Sequence, residues 1–279
     1  MISPISVTRN GHRTFFKWHR GRRTLSDPVF TGRRILEGMA LGASVEVDLV
    51  VHKDHGFAVL HDHESIARET TGHGAAVENS AADLRSLYLR GNDGTPIADH
   101  VMLLEDLCAL LQQTPAHPDA LLQLDYKEDE TVLDAATLAS FSHSVGPVAR
   151  NMILSSGSAT AVRILTNATP GLHIGYDPCS DENLAALRRT RDFSGFVADT
   201  LAASPDAEMI YLAWELVIEL DRAGFDIIGA FHAAGKRVDT WTVKAADDTT
   251  LPVVQRLLAL HVDQITTDDP EGLAALIGD

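Results

Sequence analysis

Two carboxylates stand two residues apart in the apolar run Val45-Glu46-Val47-Asp48-Leu49-Val50-Val51. In an extended segment that spacing puts both on one face and gives the other face to Val45, Val47 and Leu49. If the acidic face enters a core, the like charges repel and neither is easily buried without a partner. A divalent cation resolves both difficulties, and an all-oxygen donor set suits Mg2+ or Ca2+ better than Zn2+. A surface strand with a solvated polar face fits the same alternation. A third acid, Asp125, stands near the end of the run Leu121-Leu122-Gln123-Leu124-Asp125-Tyr126, and Lys127 follows two residues later. The lysine is placed either to set positive charge beside a phosphate or to serve as an ordinary polar residue after a strand.

His19 follows Phe15-Phe16-Lys17-Trp18, and His61 follows Phe57-Ala58-Val59-Leu60. Histidine exchanges protons near neutral pH without a large pKa shift. Two such residues flanking a phosphorus atom supply a base for a nucleophile and an acid for a leaving alcohol, while a structural histidine at either place is the plainer alternative. Asp62 is next to His61 and able to orient it. His52, His55, His63 and His73 read as turn or surface residues. Arg20 offers two parallel donors to phosphate oxygens, which a lysine cannot do. Arg22 and Arg23 either extend an anion-attracting patch or belong to a solvated charge run. Trp241, in Val238-Asp239-Thr240-Trp241-Thr242-Val243, is a pocket wall or a core residue.

The elements that must position these residues alternate between short apolar runs and helical patterns, the grammar of a parallel α/β protein. Thr14–His19 reads as the first strand, and Thr31–Leu41 as a helix ended by Gly42. Val45–Val51 is the second strand, followed by an extended run from Phe57 to His61. Residues 65 to 100 form a polar excursion with one short helical piece near Ala81–Leu89. Leu103–Gln112 is a helix, Leu121–Tyr126 the third strand, Met152–Ser155 and Leu172–Gly175 the fourth and fifth. Phe196–Ala198 suggests the sixth, with Met209–Leu212 a strand or part of its outgoing connection. The span from Ile218 to Ala234 carries helix and a possible short strand at Ile227-Ile228. Val238–Val243 and Gln264–Thr267 close the series, with a helix at Pro252–Ala259 between them. The expected architecture is a single (β/α)8 TIM barrel over residues 1–279, with a substrate-side insertion after the second strand. An open doubly wound sheet is the rival.

The chain has 279 residues, 45% of them apolar, enough for one barrel core. No run of about 18 apolar residues is present, so no membrane span is expected. The formal net charge of −16 argues against a nucleic-acid-binding surface. Residues 1 to 34 run the other way, with eight Arg and Lys against Asp27 alone, a local attraction for a small anion. No Gly-x-Gly-x-x-Gly follows the first strand and no phosphate loop of the Walker type occurs. Cys108 and Cys179 are the only cysteines; they read as ordinary thiols in a reducing, cytoplasmic setting. Oligomeric state is not legible.

The chain resembles the glycerophosphodiester phosphodiesterase family. The resemblance is carried by His19-Arg20-Gly21, Glu46-Val47-Asp48, Val59-Leu60-His61-Asp62 and Ala67-Arg68-Glu69-Thr70-Thr71-Gly72. It continues in Asp125-Tyr126-Lys127, Trp241-Thr242-Val243-Lys244 and Asp263-Gln264-Ile265-Thr266-Thr267-Asp268-Asp269-Pro270. It implies a divalent cation held by Glu46, Asp48 and Asp125, an acid-base pair in His19 and His61, and Arg20 and Lys127 near phosphate. It also implies hydrolysis of a small phosphodiester through a cyclic phosphate. Two departures stand out. Where the family usually has Pro-Glu-Asn-Thr, this chain has Pro28-Val29-Phe30-Thr31, and its third-strand acid is Asp125 rather than the usual Glu. These keep open a sugar-containing phosphodiester as substrate and a catalytically silent sugar-phosphate-binding barrel; a lyase that stops at the cyclic phosphate is a separate enzyme alternative.

Overall fold

The computed structural model describes residues 5–278. Eight parallel strands close into a barrel: β1 (His12–Trp18), β2 (Val45–Val51), β3 (Leu122–Tyr126), β4 (Met152–Ser156), β5 (His173–Tyr176), β6 (Met209–Ala213), β7 (Arg237–Val243) and β8 (Gln264–Thr267). Each strand pairs with the next in chain order. β8 pairs with β1 from Gln264↔Phe15 to Thr267↔Trp18, and the contact Trp18↔Val45 joins β1 to β2 and closes the ring. No edge of the barrel is left open, and a rival open sheet is excluded.

Parallel strands are covered on both faces, so their sequences run apolar with few breaks. All seven residues of β2 are buried. Its Val45 faces the helix Gly32–Leu41, which approaches so closely that a Cβ at Gly38 would lie 2.7 Å from Val45 Cγ2. That assigns Val45, Val47 and Leu49 to the layer between strands and helices, and Glu46 and Asp48 to the barrel interior. The solvated-strand alternative fails because the acidic face is the inward one. The Gly32–Leu41 helix ends as expected at Gly42, in the left-handed conformation at φ 86°.

The segment between β2 and β3 forms the expected insertion. A two-residue strand, Phe57–Ala58, folds back antiparallel onto the end of β2. The chain then makes the helix Ala81–Ser86 and the hairpin Tyr88–Arg90 with Pro96–His100 before the helix Leu104–Gln113. The predicted helix near Ala81–Leu89 therefore stops early, its last residues serving the hairpin. The hairpin tip docks on the loop after β1: Asn92 donates to the carbonyls of Leu25 (3.1 Å) and Asp27 (3.3 Å) and accepts from Arg22 at 2.6 Å.

Two strand expectations are corrected. Phe196–Ala198 lies within the helix Phe193–Ala203, and Ile227-Ile228 opens the helix Ile227–Ala233. In both, an aspartate just before the helix accepts the backbone N–H of a glycine three residues on, Asp192 from Gly195 and Asp226 from Gly229, each at 2.8 Å. The apolar pattern is ambiguous over so short a run, and the Asp-x-x-Gly cap decides for helix. The sixth strand is Met209–Ala213, buried throughout. Both cysteines are free, Cys108 buried and Cys179 half-buried. No helix among the described residues is long and apolar enough to cross a membrane.

Candidate active site

The C-terminal ends of the strands surround a cavity of about 270 Å³. His19, Arg20, Glu46, His61, Asp125, Lys127 and Trp241 all line it. Asp48 is fully buried and pairs in register with Asp125 across β2 and β3. The eight residues singled out from sequence therefore meet at one place.

His19 leaves β1 in a tight turn, His19–Gly21, in which Arg20 and Gly21 both take positive φ, 54° and 72°. A Cβ at Gly21 would lie 2.9 Å from Ile35 Cγ1, so this position is restricted both by conformation and by space. The turn aims the Arg20 N–H at Glu46 Oε2, 2.8 Å away. His19 Nδ1 meets Asp268 Oδ1 at 2.7 Å, while Nε2 lies 3.9 Å from Glu46 Oε2. Burial lowers the His19 pKa below its ordinary value, against the pull of Asp268. Asp268 is itself held below the usual carboxylate range: burial opposes its ionisation, but His19 and Arg22, the latter at 3.1 Å, outweigh it.

His61 is built the same way. Its Nδ1 meets Asp62 Oδ1 at 2.7 Å, and the loop is clamped by Glu69, whose Oε2 accepts the backbone N–H groups of His61 (3.0 Å) and Asp62 (2.9 Å). Burial raises the Glu69 pKa despite those two hydrogen bonds. Each imidazole thus has Nδ1 occupied by a carboxylate, which leaves Nε2 to carry the exchangeable proton.

The acidic cluster opens on the same cavity as both histidines. Oxygens of Glu46, Asp48 and Asp125 all fall within 4.8 Å of one another. Arg20 Nε stands 2.9 Å from Asp48 Oδ2 and Lys127 Nζ 2.7 Å from Asp48 Oδ1, and Lys127 also donates to Asp125. Burial disfavours ionised Asp48, yet Lys127 and Arg20 hold its pKa well below normal. Glu46, buried beside Asp48, is pushed well above its normal value. Burial works against the Lys127 charge, but Asp125 and Asp48 raise its pKa all the same. Both Asp48 oxygens are buried and ion-paired, one to Arg20 and one to Lys127, though neither contact has hydrogen-bond geometry. Three converging carboxylates, one of them resisting ionisation, offer an all-oxygen donor set that fits a hard divalent cation beside Arg20 and Lys127.

Other residues were not legible as functional. Asp268 stands one residue past β8, the same position that His19 holds past β1. Glu69 carried no local signal for its grip on the His61 loop. Asp177, one residue past β5, lines the cavity, and burial pushes its carboxyl up to about 7. Two further readings change. His52, taken for a turn or surface residue, is buried and accepts the Asp54 N–H at 3.2 Å. Arg22 and Arg23 are neither a free patch nor a solvated run: Arg22 binds Asp268 and Asn92, and Arg23 binds Glu37 (2.6 Å) and Glu271 (3.0 Å). In the departed Pro28-Val29-Phe30-Thr31 segment, Phe30 is buried, donates its N–H to the Arg20 carbonyl at 2.9 Å and lies under the Arg20 guanidinium, 5.7 Å from ring centre.

The family model described as the glycerophosphoryl diester phosphodiesterase family matches residues 35–272. No curated protein sequence matches the chain significantly. Among solved structures it is similar to a Silicibacter pomeroyi DSS-3 protein assigned as a glycerophosphoryl diester phosphodiesterase, at TM-score 0.71 and 21% identity, covering 95% of this chain and 93% of that one. A glycerophosphodiester phosphodiesterase from Agrobacterium tumefaciens str. C58 gives TM-score 0.65 and 20% identity, covering 95% of this chain and all 100% of the other. An Oleispira antarctica phosphodiesterase in complex with the product sn-glycerol-3-phosphate gives 0.64 and 18%, covering 95% and 96%. At these identities the structural likeness speaks for the barrel, while the family model spans all of β2 to β8. This chain belongs to the glycerophosphoryl diester phosphodiesterase family.

Proposed function

We propose that the protein is a divalent-cation-dependent phosphodiesterase that cleaves a glycerophosphodiester into an alcohol and a phosphomonoester. The observation that carries this reading is the pair of imidazoles, each fixed through Nδ1 by its own carboxylate, in one cavity with Glu46, Asp48 and Asp125. The product complex of the Oleispira antarctica phosphodiesterase supports glycerol on one side of the phosphate.

Glu46, Asp48 and Asp125 would hold the cation, Mg2+ or Ca2+. When bound, it supplies positive charge to stabilise the charge that builds on the phosphoryl oxygens. Arg20 and Lys127 add fixed positive charge at the same place. Burial favours neutral His19, which suits the base: its Nε2 takes the proton from a substrate hydroxyl adjacent to the phosphate as that oxygen bonds to phosphorus. His61 Nε2 gives a proton to the departing alkoxide as the original P–O bond breaks. In the second half the roles reverse: His61 takes a proton from water, water oxygen attacks the cyclic phosphate, and His19 returns a proton to the ring oxygen that leaves. Trp241 forms a wall of the cavity.

A second reading, a sugar-sized alcohol on the far side, is favoured by a groove of about 600 Å³ that meets the cavity at Asp125, Lys127 and Asp177. Phosphorus NMR of the full chain with sn-glycero-3-phosphocholine, and separately with a glycerol phosphosugar, tests both. The expected result is a phosphomonoester signal that falls to background in chelator and returns with Mg2+ or Ca2+. A cyclic phosphate that accumulates without opening would assign the chain as a lyase. Undiminished turnover in chelator, or binding without turnover on both substrates, would overturn the proposal.

A further inference from the structure

Below the carboxylate cluster, the barrel interior holds a line of polar side chains that the reaction above does not use. Lys17 on β1 is only 2% exposed; its ammonium lies 3.1 Å from the fully buried Asp239 on β7 and 4.3 Å over the Tyr211 ring on β6. Asp239 is fixed in turn by the Thr266 hydroxyl on β8 at 2.7 Å. The same ammonium donates to Oε1 of Gln123 on β3. Gln123 Nε2 donates to the Ser155 hydroxyl on β4 at 2.7 Å, and that hydroxyl donates to Asp125 Oδ1 at 2.6 Å.

The direction of this chain is forced from both ends. An ammonium only donates, so it must face the amide oxygen of Gln123 and turn the amide N–H groups toward Ser155. An ionised carboxylate only accepts, so the serine hydrogen must point at Asp125. Strand register makes the arrangement compact: Gln123 and Asp125 are two apart on one face of β3, and Asp125 sits directly opposite Ser155. Asp125 is thereby held at both oxygens, Oδ1 by Ser155 and Oδ2 by Lys127. Lys127 is shared with Asp48, so Ser155 is the partner that belongs to Asp125 alone.

We infer that Ser155 and Gln123 are positioning residues for the cation site. Gln123, oriented by Lys17, fixes the Ser155 hydroxyl, and Ser155 fixes the carboxylate of Asp125 in the orientation that meets Glu46 and Asp48. This rests on the reading that those three carboxylates bind a divalent cation.

The test is calorimetric titration of Mg2+, and separately Ca2+, into the chelator-treated full chain. Ser155→Ala is expected to weaken cation binding about 10-fold, in line with the loss of a hydrogen bond that orients a ligand, with turnover regained as cation is raised to saturation. Ser155→Thr keeps the hydroxyl and is expected to stay near wild type. Gln123→Glu provides a second arm: it retains an acceptor for Lys17 but has no N–H for Ser155, so the hydroxyl turns away from Asp125 and affinity falls despite the added negative charge. Wild-type affinity in both Ser155→Ala and Gln123→Glu, or an equal loss in Ser155→Ala and Ser155→Thr, overturns the inference. A wild-type chain that binds neither cation overturns the underlying cation reading instead.

Discussion

Alanine at His61 or at His19 is expected to lower kcat about 10³-fold, because in the proposed mechanism each imidazole carries one of the two proton transfers in the same displacement. For that reason the double replacement is expected to cost little more than either single one. Both variants are expected to keep the fold. His61 stands at the cavity mouth, its side chain 35% exposed, and its loop is clamped by Glu69 through backbone N–H groups that the substitution leaves untouched. Removal of His19 leaves Asp268 with Arg22 as partner at 3.1 Å, so no carboxylate is orphaned. Far-ultraviolet circular dichroism and cation titration establish that the variants are folded and loaded before rates are compared. A folded, cation-loaded double variant with near-wild-type kcat would remove the histidines from the chemistry.

The second large effect concerns Asp48. Asp48→Asn is expected to abolish measurable cation binding and, in chelator, to destabilise the protein by about 3 kcal/mol, because it leaves two half-buried cationic heads short of a fully buried counter-charge. The loss sits at the lower end for a broken buried pair because neighbours respond. Lys127 retains Asp125. Glu46, whose ionisation is disfavoured by burial and by Asp48, ionises more readily once that charge is gone. Calorimetric titration measures the first quantity and urea unfolding in chelator the second. Wild-type cation affinity in the variant would show that Asp48 serves only Arg20 and Lys127.

Much of this site was written locally. The Glu-x-Asp alternation in β2, the strand-end histidines and Asp125 each report their position through the few residues before them, and the barrel follows from eight apolar runs separated by helical patterns. What escaped depends on partners distant in sequence. Asp268 becomes a partner of His19 only when β8 lies against β1, which brings together residues 249 positions apart. Lys17 and Asp239 look like solvated polar residues within two strands; the closed ring makes them a buried ion pair. The His52 turn looked exposed because it is polar, yet Gly56 folds so near that a Cβ there would lie 2.4 Å from His52 Nε2. The misassigned Phe196–Ala198 run shows the opposite failure. The local signal is present in Asp192 and Gly195, and the apolar residues that follow Gly195 mask it by fitting a strand equally well.

The replaced Pro-Glu-Asn-Thr segment now has a physical description. Val29 and Phe30 do not leave a gap: Phe30 packs into the core beneath Arg20 and its N–H holds the Arg20 carbonyl. The turn that aims Arg20 at Asp48 is thus supported by an aromatic ring and a main-chain hydrogen bond.

The arrangement at the centre of this account is tested most directly by a crystal of the full chain soaked with Mn2+ and glycerol 3-phosphate, the ion located by anomalous scattering. Two clusters compete for it, Glu46 with Asp48 and Asp125, and His61 with Asp62 and Glu69. The expected result is one ion coordinated by the first cluster and by a phosphate oxygen, with Nε2 of His19 and of His61 on opposite sides of the phosphorus. An ion at the second cluster, or a phosphate beyond reach of either imidazole, would contradict it.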